Sequence, residues 1–149
     1  MYSDKITLFN RYKSRLGDMW YPTVIDGVNL LIDKAAIMAK FGTESKDKAV
    51  LNIQYNAAGG QIIIDGKQYL PPKEWKQQTE DMLAESITFA SGTDFDFFML
   101  GEYPISEPIP DTAFAEGFFN HMSERCDFVF AVTSAAKYTA IPHFEITGE

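Results

Sequence analysis

Few side chains in this sequence are equipped for chemistry. It has two histidines, His121 and His143, and one cysteine, Cys126. A zinc-binding face needs histidines spaced as H-x-x-x-H or H-E-x-x-H, and neither histidine has such a partner. His121 falls beside Met122 on a predicted helix and His143 follows Pro142 in a predicted strand, so both read as structural or surface residues. A lone cysteine in an alternating apolar segment reads as a small buried hydrophobe, with no disulfide and no cysteine-based zinc site. No serine has the G-x-S-x-G setting of a nucleophile elbow. Asp94, Asp96 and Glu102 suggest calcium or paired carboxylates. Yet Asp94 and Asp96 flank Phe95 on one strand face and lack a calcium loop, so they read as a solvated strand edge. Lys40, Lys46 and Lys48 suggest a phosphate site, but no glycine-rich cradle leads into a helix there, and Gly42 to Lys48 reads as a flexible loop. The glycines form no dinucleotide fingerprint. The expectation is no catalytic, cofactor or metal site. Contact chemistry remains, with Trp20, Tyr21 and Tyr103 as candidate interface anchors and Lys46 and Lys48 beside them, core packing being the simple alternative for the aromatics.

The elements that must position these residues are mostly strands. KITLFNRY (Lys5 to Tyr12) is rich in β-formers and reads as a first strand, turning at Ser14 to Asp18. MWYPTVIDGVNLLID then carries two apolar stretches around Asp26-Gly27, which closes a hairpin or, by preference, bends one long strand. Ala35 to Phe41 fits strand or helical turn. AVLNIQYN alternates as a half-buried strand, Gly59-Gly60 turns the chain, and Asp65-Gly66 between QIIID and KQYL signals a two-residue hairpin. Pro72 opens a short helix with Trp75 as its apolar anchor. SITFA and DFDFFMLG read as a hairpin across Ser91 to Asp94, and EYPISEPIP as an extended crossover.

The crossover leads into PDTAFAEGFFNHMSER, a predicted helix with Asp111 as its N-cap and Phe114, Phe118 and Met122 on one face. Gly117 costs it about 1 kcal/mol relative to alanine. CDFVFAV follows as a strand with Cys126, Phe128, Phe130 and Val132 on one side. After the small residues Thr133 to Ala136, KYTAIPHFEIT reads as its partner, with Pro142 at an edge or bulge. The count is about eight strands and two short helices, which predicts an α+β, mainly β fold: an antiparallel barrel or sandwich with a C-terminal helix packed on it.

At 149 residues the chain is the length of one domain, and 46% apolar content is ample for a core. A net charge of −8 argues against binding phosphate backbones. The start lacks the basic and apolar regions of a signal peptide and no run approaches a membrane span, so a soluble intracellular product is expected.

The segments DKITLFNRY, WYPTVIDGVNL, IDKAAIMAKFGTESKDKAVLNIQY, DFFMLGEY and DFVFAVTSAAKYTAIPHFEITG, taken in order, resemble a family of uncharacterised proteins from the head and tail morphogenesis region of tailed bacteriophages and prophages. At the level of fold, an opening strand, a turn and a long second strand with an aromatic are similar to the small β-barrel head-closure (stopper) proteins. The resemblance implies a non-enzymatic virion protein at the head-tail neck, made in the host cytoplasm. Its copies would self-associate into a closed ring, taken as a hexamer, between a portal or adaptor ring and the tail. DNA would pass through an acidic lumen without specific binding. The alternatives are a tail terminator or minor tail protein and, from another class, a small-ligand-binding or enzymatic β-barrel domain.

Overall fold

The computed structural model describes residues 2–33 and 48–149. Ala35 to Phe41, and the loop from Gly42 onward apart from Lys48, lie outside the described residues.

Strand β1 (Asp4–Ser14) turns through Arg15 and Leu16 into β2 (Gly17–Asp33), and the two pair antiparallel along almost the whole of β1. Asp26-Gly27 bends one long strand. The register slips there, with Asp4 opposite Val28 and Lys5 opposite Asp26, leaving Gly27 as the extra residue at φ 68°. The Leu30 amide donates to Asp4 Oδ2 at 2.9 Å and secures the bend. Beyond it, Asn29–Asp33 pair with β3 (Lys48–Gln54), whose Ala49, Leu51 and Ile53 alternate inward as its sequence predicts. The principal sheet is completed by β8 (Phe97–Leu100), β9 (Ile109–Pro110), β10 (Val129–Tyr138) and β11 (His143–Gly148).

The strand order is β1-β8-β10-β11-β3-β2-β9, and β1 also pairs with β2. The sheet therefore curls round on itself without forming a regular closed barrel. It consists of two half-sheets linked by β2 and β10, each of which crosses from one to the other at an irregularity. Between the halves lies the main core, with Ile6, Leu8, Ile25, Leu51, Phe98, Phe130, Phe144 and Ile146. This is the mainly β, α+β architecture expected from the pattern of elements.

A second, four-stranded sheet joins β4 (Asn56–Ala58), β5 (Gln61–Ile64), β6 (Lys67–Tyr69) and β7 (Ser86–Ile87). Asp65 and Gly66, both at positive φ, close the β5-β6 hairpin at the expected place. The expected SITFA hairpin does not form. β7 instead lies parallel to β6, and β8 pairs with β1 and β10. Helix α1 (Pro72–Lys76) and a 3₁₀ turn over Glu80–Glu85, which the sequence suggests only as a polar connection, bury Trp75 and Leu83 against Tyr21.

The C-terminal helix starts later than its pattern predicts. Asp111–Ala113 form a 3₁₀ turn, Gly117 breaks the run at φ 86°, and α2 spans Phe118–Arg125. Its apolar face is the expected one: Phe118 and Met122, with the partly buried Phe114, pack on Phe9, Trp20 and Phe97, on the side of the sheet away from Phe130. Cys126 and Val129 join them from the segment that follows the helix. Thr133 to Ala136 do not end a strand. They continue β10 to Tyr138, and Pro142 sits in the turn before β11.

Phe118 is fully buried among Phe9, Trp20, Phe97 and Tyr103, with ring centroids 5.2 to 6.3 Å away. Replacing Phe118 by alanine is expected to cost about 3–5 kcal/mol by equilibrium urea unfolding. A midpoint equal to the parent's would remove α2 from the core.

Candidate functional site

Polar chemistry concentrates where β1 leaves the core. Asn10 and Arg11 end the buried stretch of β1, and opposite them Asp96, immediately before β8, is completely buried. One Asp96 carboxylate oxygen accepts the Arg11 backbone N–H at 2.8 Å, and the other accepts Ala90 N–H at 2.8 Å and Asn10 Nδ2 at 3.0 Å. Asn10 Nδ2 also donates to the Thr88 carbonyl at 2.7 Å. Loss of water pushes the Asp96 carboxyl up to about 7, against the opposing pull of these three N–H groups. The expected solvated edge is thus two different environments. Asp94 is partly exposed and takes a hydrogen bond from Lys13 at 3.0 Å, which holds it below its usual range, whereas Asp96 is sealed.

The Arg11 guanidinium lies over the rings of Trp20 (4.5 Å) and Phe95 (4.7 Å) and pairs with Asp18 at 3.5 Å, while its Nε is buried without a partner. It borders a pocket of about 380 Å³ that Asp111, Glu116, Phe119 and Asn120 also line. Asp111 Oδ1 accepts Trp20 Nε1 at 2.9 Å and the Phe118 backbone N–H at 2.8 Å. It therefore does satisfy a free amide at the start of the helix, as its sequence position suggests, but from seven residues away across the Gly117 break. A side chain at Gly117 would come within 3.3 Å of this carboxylate, so glycine serves both the backbone angle and the approach.

The predicted interface residues do not form a common surface. Trp20 is 1% exposed and Tyr21 is buried against Trp75, because α2 covers the face of β2 that carries Trp20 and α1 covers the opposite face that carries Tyr21. These two aromatics are core residues. Tyr103 is half-buried, edge-on to Phe9 at 5.4 Å, and its amide donates to Thr7 Oγ1. Lys48 is exposed at the start of β3, and Lys46 lies outside the described residues. His121 stands beside Phe114 and accepts from Arg125 Nε at 3.4 Å. His143 stacks on Tyr138 at 4.8 Å, and Cys126 is a half-buried free thiol. Neither histidine lines the Arg11 pocket. No group of metal-ligating side chains converges among the described residues, and none of their helices is long and apolar enough to cross a membrane.

Sequence reasoning missed Arg11 and the burial of Asp96. The only local signal was a polar pair, Asn10-Arg11, following the apolar run of β1. Chemically, the Asp96 cluster ties strands together and the Arg11 pocket offers a planar cation between aromatic walls.

Over residues 1–149 the chain matches the family of unknown function DUF6751, and it belongs to that family. No curated protein and no solved structure matches it.

The raised carboxyl of Asp96 fixes a sign. Its favourable contribution to folding is complete below the ordinary aspartate range and is lost as pH rises through about 7. Asp96→Asn places an NH₂ against a backbone N–H and is expected to cost about 1–3 kcal/mol. It also removes the titration, so the stability gap between parent and variant should narrow as pH rises through about 7. Urea unfolding at pH values either side of that point measures it, and parallel pH profiles would show that Asp96 does not titrate there.

Proposed function

We propose that the protein is a structural, non-enzymatic component of a tailed-phage virion, a head-completion (stopper) protein between the portal or adaptor and the tail. The observation that carries this reading is the exposure of large apolar side chains at the turns of two separate hairpins. Leu16 is 92% exposed between β1 and β2, and Ile141 is 73% exposed between β10 and β11, in a chain that buries both its tryptophans. Apolar tips on different hairpins suit a subunit that meets more than one neighbour, as heterologous contacts closing into a ring require. The ordered resemblance of five segments to phage morphogenesis proteins points the same way. A net charge of −8 suits a channel that DNA traverses without adhering.

Electron cryo-microscopy of assembled virions tests the reading, with density for this chain expected at the portal-to-tail neck. Particles lacking the protein should have filled heads that leak DNA. Absence of the chain from the neck overturns the assignment, and tails of abnormal length in the deletion would move the protein to tail termination.

A further inference from the structure

The outer half of β10 is not needed to close the core. Every residue from 133 to 142 is exposed, so both faces of the strand meet solvent. On one edge Ser134–Tyr138 pair with β11. On the other no described strand pairs with them, because β8 reaches only Val129–Ala131. The arm is nevertheless held in shape. Tyr55 Oη donates to the Tyr138 carbonyl at 2.9 Å, Thr133 Oγ1 donates to the Thr147 carbonyl at 3.0 Å, and Tyr138 stacks on His143.

An ordered strand with a bare edge is a template for another strand. Monomeric proteins blunt such edges with charges, prolines or bulges; here the bulge lies at Thr133 and the one charge at Lys137, and the run Ser134-Ala135-Ala136 between them carries none of these.

We infer that this edge pairs with the same edge of a second copy, antiparallel about a two-fold axis at Ala135. Two features select a second copy over a foreign strand. First, the chain carries 21 acidic residues, so copies repel over most of their surfaces, yet none lies between Phe128 and Phe144, where Lys137 is the sole charge. Second, the edge is self-complementary. Pairing about Ala135 sets Ser134 against Ala136 and Lys137 against Thr133, so the one charge meets a hydroxyl rather than its own copy. Such a contact is isologous and closes on itself. Ring contacts would use other surfaces, the Leu16 turn among them, and the pairing stands whether or not the protein belongs to a virion neck.

Analytical ultracentrifugation of the full chain over a concentration series tests the pairing with the exposed-site variants Ala135→Asp and Ala135→Lys. The parent is expected to associate in pairs. Each variant, which sets like charges face to face, should associate roughly tenfold or more weakly, with a thermal midpoint equal to the parent's at dilutions where both are dissociated. An equal mixture of the two variants should recover association as an Asp-Lys pair. In the parent, amide hydrogen exchange over 133–138 should slow as concentration rises, a readout independent of either variant. A parent that stays monomeric, variants that associate like the parent, or a mixture no better than its components would each overturn the inference.

Discussion

The structure depends on the two-sided burial of β1. Five consecutive residues, Ile6 to Asn10, are buried. Alternation along a strand sends Ile6 and Leu8 into the core between the half-sheets and Phe9 to the opposite face. A strand buried on both sides needs a cover on each. The curled sheet supplies the inner one through Phe98, Phe130 and Ile146, and α2 supplies the outer one through Phe118 and Met122. The late start of α2 follows from this demand. Phe118 must sit over Phe9 and Trp20, so the chain turns at Gly117 to bring it there, and Asp111 takes up the helix's first free amide from outside.

The same constraint explains the polar cluster. Asn10 is the last buried residue of the run, and its side-chain NH₂ must find acceptors away from water, although its Oδ1 is buried without a partner. The Thr88 carbonyl and Asp96 carboxylate provide them, and Asp96 in turn accepts the amides of Arg11 and Ala90. The bonds from Asn10 and Arg11 cross from β1 and the bond from Ala90 closes the segment on itself, so the network fixes the path of residues 88–96 against β1. It is bought at the expense of holding a carboxyl in a dry site, visible in the upward displacement of its proton affinity.

Legibility in the sequence followed the range of the interactions. β3, the Asp65-Gly66 turn, the bend at Gly27 and the Trp75 anchor are set by residues within one strand or turn, where alternation, positive φ and a single large side chain leave a local mark. The parallel pairing of β7 with β6, the late start of α2 and the burial of Asp96 are set by partners far along the chain. The donors to Asp96 lie 86, 85 and 6 positions away, and no spacing rule connects Asn10 to Asp96. Trp20 and Tyr21 looked like contact residues because a large aromatic pair on a strand has the same composition at an interface and in a core. What separates the two is the cover from α1 and α2, which arrives only with the tertiary fold. Thr133 to Ala136 failed for the opposite reason. Small residues suggest a break in a strand, whereas hydrogen bonding to β11 sustains it without burial.

That difference between β1 and β10 bears on what the protein is for. Both are long strands, but one is covered on each face and the other, past Val132, on neither. Hydrophobic burial cannot be what keeps the arm extended, since its side chains are exposed. Its order comes from one ladder with β11 and from the hydrogen bonds of Tyr55 and Thr133. The arm is the outermost strand of the β10-β11-β3-β2 half-sheet, paired on one side alone among the described residues, and a further strand on its open edge would add hydrogen bonds without altering the core. Association would therefore add hydrogen bonds to an arm that burial does not hold, coupling its rigidity to the presence of a neighbour.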